Sequence, residues 1–201
     1  MNDVGSQFSC GFYGKIPSVG DFVSRDIPLH YLQHIDDWFS EGMADLSAEN
    51  QNWLDSYLTA PVWSFIVCPG VWGGEYLYGA VMPSVDSVGR YFPFISLTRS
   101  TSFSSIDRTL VNYLPSLADE LPAVLQGDLL PEEVSDFLAQ HVKSDPYNAA
   151  FSNLNDVADT GKSYWWCAIQ DSAPYQFVVH NGQLDFPLFK QLFFQYQPLL
   201  P

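Results

Sequence analysis

Three consecutive apolar runs in the middle of the chain constrain its fold more than any other feature. They extend over Val62–Cys68, Tyr76–Met82 and Tyr91–Thr98, with Gly- and Pro-rich connections between them. Each run is largely apolar at both odd and even positions, whereas a strand with one face in water alternates between apolar and polar residues. The runs therefore predict a β-sheet that is covered on both faces.

Segments with helical periodicity surround these runs. From Pro28 to about Leu46, apolar side chains recur every three or four residues, which predicts an amphipathic helix. The other predicted helices are Asn52–Leu58, a region from Ile106 to Leu125 that two prolines divide, a helix beginning at Pro131, and Phe186–Gln195. The other predicted strands are Phe8–Tyr13, Ser163–Ile169 and Gln176–His180.

The order of these elements predicts an α/β fold. Blocks of strands alternate with blocks of helices, and this order fits a three-layer α-β-α sandwich around a mixed, largely antiparallel sheet better than regular βαβ winding. The chain has no internal repeat, low-complexity segment or clear linker. We therefore expect a single domain over residues 1–201.

The composition argues against several classes of function. The formal net charge is -15 and the chain has only 8 Lys and Arg residues, too few to replace counterions on nucleic acid or an anionic membrane. The longest apolar runs are strand-sized, well below the roughly 20 residues needed to span a bilayer, and the N-terminus does not resemble a signal peptide. Three cysteines in apolar or β-prone segments predict buried free thiols in a reducing cytoplasm. We expect a soluble cytoplasmic protein.

Acidic residues are concentrated on the first predicted helix. Asp37, Glu41, Asp45 and Glu49 recur every four residues, so they lie along one face of that helix. Between Arg25 and Arg90 the chain contains no Lys or Arg. One interpretation is a solvated face that keeps the protein soluble, and the other is a docking surface for a basic patch on a partner.

No residue pattern predicts an active site or a metal centre. The segment Gly161–Ser163 superficially resembles the end of a phosphate-binding loop, but Asp156 occupies the earlier glycine position and a strand follows. His30 and His34 have metal-ligand spacing on a helix but lack the H-E-x-x-H motif and an evident third ligand. A nucleophile elbow is also absent. We expect a protein that is not an enzyme and has no cofactor and no metal.

Three segments are dense in Gly, Pro, aromatic and charged residues. They are G-K-I-P-S-V-G-D-F-V-S-R at 14–25, T-A-P-V-W-S-F at 59–65 continuing to P-G-V at 69–71, and M-P-S-V-D-S-V-G-R-Y-F-P at 82–93. Together they resemble the TagF family of type VI secretion accessory proteins. The first and third, called the motif loops below, are the most specific, and S-Y-W-W at 163–166 resembles a weaker element of that family.

The resemblance implies a cytoplasmic α/β domain that represses secretion after translation. In this family, repression is expected to act by binding the forkhead-associated-domain protein of the secretion system and opposing assembly. Two other functions stay open. One is a structural or adaptor subunit of the apparatus, and the other is a small-ligand sensor or hydrolase with a pocket near Lys15, Asp21 and Arg90.

Charged residues in the motif loops predict ion pairs between the loops. Asp21 or Asp86 paired with Arg90 could lock the loops, with Gly20, Gly70 and Gly89 in turns of positive φ. The same charges could instead face a partner. The candidate partner-binding residues are Lys15, Asp21, Arg25, Asp86, Arg90, Asp37, Glu41 and Asp45. The aromatic residues expected to be buried, with recognition as the alternative, are Trp63, Trp72, Tyr91 and Phe92.

Overall fold

Seven strands form one sheet in the computed structural model, which describes residues 10–49, 51–101, 114, 117–126, 129–141, 160–167 and 176–195. The strands are β1 (Cys10–Gly14), β2 (Val23–Arg25), β3 (Trp63–Val67), β4 (Tyr76–Met82), β5 (Phe94–Ser100), β6 (Lys162–Cys167) and β7 (Gln176–Asn181). Their order is β2-β1-β5-β4-β3-β6-β7. Every neighbouring pair is antiparallel.

The helices are α1 (Leu29–Glu49), α2 (Trp53–Leu58), α3 (Ala123–Gln126), α4 (Pro131–His141) and α5 (Phe186–Phe193). Residues 117–120 are helical as well, and most of the predicted region 106–125 lies outside the described residues. The carbonyl of Pro28 accepts the first hydrogen bond of α1, from Leu32 N at 3.0 Å. The Asp185 side chain caps α5 by accepting from Leu188 N at 3.0 Å, as expected for an N-cap aspartate.

The sequence-based predictions of an α/β fold and of a largely antiparallel sheet are confirmed, but the described strands contain no parallel pair, so the mixed character predicted for the sheet is not found in them. The long helical connection from β2 to β3 returns the chain in the same direction, as a parallel pair would require. However, β1, β5 and β4 lie between these two strands in the sheet. Strands β2 and β3 are therefore not neighbours, and the pairs they form are antiparallel.

The central strands bury side chains on both faces. Phe65 and Leu77 belong to one hydrophobic cluster, which also contains residues of α1, α2 and α5. Their sequence neighbours Ile66 and Tyr78 belong to a second cluster, which includes residues of α4. Because successive side chains of a strand point to opposite faces, the two clusters lie on opposite sides of the sheet. This confirms the prediction that both faces are covered.

The first cluster is rich in packed aromatic rings. The Trp38 ring of α1 lies 5.5 Å from Trp165 of β6 and 5.8 Å from Phe189 of α5, centroid to centroid. Trp63 also donates its indole N–H to the Leu192 carbonyl at 2.8 Å. These contacts tie α1 and α5 to the same face of the sheet, and aromatic pairs at such distances add to area burial.

The expectation of buried cysteines is met by two of the three. Cys68 and Cys167 are buried, whereas Cys10 is half-buried. None of the described helices combines the length and apolar character needed to cross a bilayer.

Candidate partner-binding surface

A buried carboxylate organises the two motif loops. Asp86 Oδ2 contacts Lys15 Nζ at 3.0 Å and Arg90 Nε at 2.7 Å. Its other oxygen, Oδ1, accepts hydrogen bonds from the backbone N–H groups of Val88 at 3.0 Å and Arg90 at 2.8 Å. The Asp86 side chain is fully buried, with 0% of its surface exposed. Both carboxylate oxygens are thus bonded, as a buried charge requires.

These contacts keep Asp86 ionised. Burial alone would raise the pKa of Asp86, but hydrogen bonds from the Arg90 backbone, the Lys15 and Arg90 side chains and the Val88 backbone outweigh it and lower the pKa of Asp86 well below its usual range. One negative charge is therefore matched by two positive charges. The cluster of three side chains keeps one net positive charge.

Further hydrogen bonds join the two motif loops directly. Ser84 Oγ donates to the Lys15 carbonyl at 2.5 Å, and the backbone N–H of Ser87 donates to the Val19 carbonyl at 3.1 Å. Arg90 Nη2 donates to the Gly20 carbonyl. The loops are therefore held against each other by backbone contacts as well as by the ion pairs.

Two of the three glycines expected in left-handed turns have that conformation. Gly70 has φ 93° and Gly89 has φ 84°, where residues with a side chain are disfavoured. The prediction for Gly20 is wrong, because Gly20 is not among the described glycines with positive φ. Gly20 instead lies close to the other loop, and a Cβ there would be 3.2 Å from Ser87 Oγ.

The structure places the charged candidates of the motif loops in two environments. Lys15 and Asp86 are buried, and they form one cluster with Arg90, whose side chain is 55% exposed. Arg25 lies outside this cluster and pairs with Glu132 of α4 at 2.9 Å. Asp21 is exposed, and its Oδ1 accepts from the Phe22 N–H at 2.8 Å. Asp86, rather than Asp21, therefore forms the ion pair with Arg90.

Phe22 is a feature of the site that the sequence analysis did not single out. Its ring packs edge-on against Phe92 at 4.8 Å and stacks on Tyr13 at 5.9 Å. Lys15 Nζ lies 4.9 Å from the ring centroid. The ring is nevertheless 45% exposed. The available signal was its position between Asp21 and a buried valine in the first motif loop.

The aromatic residues predicted to be buried largely are. Trp63, Trp72 and Phe92 are buried, and Tyr91 is half-buried. The Phe92 ring lies 5.7 Å from Phe39 of α1, so the second motif loop is anchored on the first hydrophobic cluster. These rings therefore fix the motif loops on the hydrophobic core.

The acidic residues of α1 form an exposed face. Asp37, Glu41, Asp45 and Glu49 are all exposed, and we call them the acidic face. Glu49 pairs with Lys190 of α5, with 2.6 Å between Nζ and Oε2. The other three carboxylates form no ion pair with any residue that the structure describes. The acidic face therefore keeps most of its negative charge.

The described residues contain no group of three or more His, Cys, Asp or Glu side chains that could hold a metal ion. The His34 ring instead stacks on Trp72, with centroids 6.3 Å apart and an interplanar angle of 3°. Gly161 turns the chain with φ 76° into β6, so it does not open a helix as a phosphate-binding loop would.

Comparison with known families decides the assignment. The family model for the TagF N-terminal domain, which is type VI secretion system-associated, matches residues 11–141. The chain belongs to the TagF family. The match includes both motif loops and the acidic face of this TagF protein. Both candidate surfaces are therefore part of the domain that defines the family.

A solved structure resembles this TagF protein over nearly its whole length. The crystal structure of PA0076 from Pseudomonas aeruginosa PAO1 has a TM-score of 0.64 and 28% sequence identity. The similarity covers 96% of this chain and 97% of that one. No curated protein matches the chain. The structural similarity thus extends beyond residue 141 to the strands and helix that follow.

Proposed function

We propose that this TagF protein represses a type VI secretion system after translation by binding a component of that system. The proposed component is the protein that carries the forkhead-associated domain. Family membership supports the association with the secretion system. The single observation that carries the choice of partner is the acidic face of α1.

The acidic face has the chemistry that a forkhead-associated domain binds. Such domains use clustered arginines to recognise phosphorylated or acidic motifs. Asp37, Glu41 and Asp45 present three exposed carboxylates along α1. The helix is held rigidly because its opposite side, including Ile35 and Phe39, is buried. Matched charges across such an interface raise the association rate and select the partner.

The exposed charges of the motif loops extend the proposed contact. Asp21 and Arg25 are exposed in the first motif loop and the strand β2 that ends it, within the family domain. Lys15 and Asp86 contribute as positioning residues, since they fix the loop from within. Charged loop residues on a rigid scaffold are favoured elements of recognition.

The proposal includes an architecture and a location. We infer a three-layer α-β-α sandwich, supported by the two hydrophobic clusters on opposite sides of the sheet. We also infer that the protein acts in the cytoplasm, where such a component would be reached before assembly. Its action requires binding alone, without catalysis or a cofactor.

A binding measurement with the purified forkhead-associated-domain protein tests the proposal. The variant D37N/E41Q/D45N removes three charges from the acidic face, and the control D55N/E120Q/D136N removes three exposed charges elsewhere. The first should weaken binding by about tenfold or more, equal to about 1.4 kcal/mol. It should also lower the dependence of Kd on salt. Equal affinities for both triple variants and the wild type would reject the acidic face as the contact.

A further inference from the structure

We propose that Phe22, Val88 and Arg90 form a second binding patch, for a segment of another protein that carries an apolar side chain next to a carboxylate. We call these three residues the loop patch. It goes beyond the proposed function because its chemistry is opposite to that of the acidic face. Its partner segment can lie on any component that meets this description.

The apolar half of the loop patch is exposed at the point where the motif loops meet. Val88 is 68% exposed and Phe22 is 45% exposed. A Cβ placed on Gly20, two residues before Phe22, would be 3.8 Å from Val88 Cγ1. The two exposed apolar residues thus lie on loop segments that adjoin each other. Exposed apolar surface with polar groups at its rim marks interaction sites more often than single scattered residues do.

The loop patch is rigid before any partner binds. Phe22 is held by Phe92, by Tyr13 and by the Lys15 ammonium. The turn that carries Val88 is held by Asp86 Oδ1. A preformed aromatic anchor loses little conformational freedom on binding, so more of the contact energy appears as affinity.

The polar half of the loop patch selects a carboxylate. Lys15 and Arg90 carry two positive charges, whereas Asp86 carries one negative charge. Arg90 is the exposed member of this cluster. A guanidinium has five N–H donors. The described contacts use Nε on Asp86 and Nη2 on Gly20, and Nη1 has no partner among the described residues. Its planar fork suits a carboxylate oxygen.

The net charge of the whole chain limits which kinds of protein can occupy the loop patch. A chain with a formal net charge of -15 repels acidic proteins at long range. Charge alone therefore cannot bring a carboxylate to Arg90, and burial of Phe22 and Val88 must supply the remaining attraction. A second copy of this chain carries the same net charge and is disfavoured. The fitting occupant is a different protein with an apolar residue beside Asp or Glu.

Photo-crosslinking in secretion-competent cells tests the loop patch. The full chain carries p-benzoylphenylalanine in place of Val88, and the crosslinked peptide is sequenced. We expect a peptide of another protein with Asp or Glu near the crosslinked apolar residue. Arg90→Gln should lower the yield by about tenfold, as expected when a charged hydrogen bond is lost. Arg90→Lys, which keeps the charge but lacks the fork, should lower it less.

A matched probe distinguishes crosslinking at the loop patch from crosslinking that occurs at any exposed apolar residue. The same photoreactive residue in place of Leu58, which is 48% exposed on α2, should give a crosslinking pattern that Arg90→Gln does not change. The inference is overturned by a basic peptide, by a crosslink to a second copy, by the lack of any adduct, or by a yield that survives Arg90→Gln in a folded protein. Binding of the forkhead-associated-domain protein through the acidic face is measured independently, so each proposal can fail alone.

Discussion

Lys15 and Asp86 form a buried ion pair, with 3.0 Å between Nζ and Oδ2. Five elements, β2, α1, α2, β3 and β4, separate the two residues along the chain. The pair therefore connects two residues that are distant in sequence and holds the two motif loops together. Both side chains are largely shielded from water. Removal of one charge therefore leaves the other buried without a counter-charge, which destabilises the folded protein.

Removal of the Asp86 charge should destabilise the protein strongly. Asp86→Asn keeps the shape but leaves Lys15 without its buried counter-charge, which typically costs about 3–5 kcal/mol. Urea denaturation of the variant and the wild type measures the loss. The control Asp21→Asn changes an exposed aspartate of the other motif loop and should stay within about 0.5 kcal/mol of the wild type. Similar losses for both variants would show that the buried pair has no special role.

The contribution of Asp86 should disappear in acid. Its pKa in the folded protein is lowered by hydrogen bonds and ion pairs, so the stabilisation is complete above the unfolded pKa of about 3.9. It is then lost as the pH falls towards the folded pKa. The difference in unfolding free energy between wild type and Asp86→Asn should be constant from about pH 7 to pH 5 and shrink below about pH 4. A constant difference down to about pH 3 would contradict this assignment.

The elements predicted well from the sequence are those with local signals. The strand Tyr76–Met82 matches its predicted bounds, because its apolar run has turn residues on both sides. Strand β2 was missed, since it has only three residues and exists through pairing with β1. Its sequence within the first motif loop has no periodicity of its own. Tertiary pairing, rather than propensity, creates that strand.

The candidate site was predicted in outline, but the structure was needed for its partners. Composition showed that opposite charges gather in the motif loops, yet spacing could not decide between Asp21 and Asp86 as the partner of Arg90. The turn geometry decides it, because two backbone N–H groups of the turn donate to Asp86. The exposure of Phe22 could not be foreseen either, since aromatic residues in such loops occur both in cores and at surfaces.

A glycine of α1 should resist replacement by alanine. A Cβ at Gly42 would lie 2.4 Å from Cγ of the buried Phe189 ring. Overpacking costs about 1–3 kcal/mol, and three ring atoms of Phe189 within 2.7 Å of the new Cβ place this site above the gain of about 1 kcal/mol from higher helix propensity. Gly42→Ala should therefore lower the stability in a denaturation experiment, despite its position in a helix.

The matched control for Gly42 is Gly74, where a Cβ would meet nothing within 4 Å. Gly74→Ala should change the unfolding free energy by less than about 0.5 kcal/mol. If Gly42→Ala proved as stable as the control or stabilising, α1 and α5 would be packed less closely than described.

The buried cysteines should be unreactive in the folded protein. Burial raises the pKa of Cys167 to about 12, although a backbone hydrogen bond from Gln176 opposes the rise. The reactive thiolate is therefore scarce at about pH 8. Iodoacetamide followed by mass spectrometry should modify half-buried Cys10 before Cys167, and both after unfolding in urea. Early modification of Cys167 in the native protein would place β6 at the surface.

Secretion by a deletion strain tests the central claim most directly. If this TagF protein represses the system by binding, deletion of the gene should increase secretion. The wild-type protein and D55N/E120Q/D136N should restore repression, whereas D37N/E41Q/D45N should not. Loss of secretion on deletion would contradict the account and indicate a structural or adaptor subunit instead.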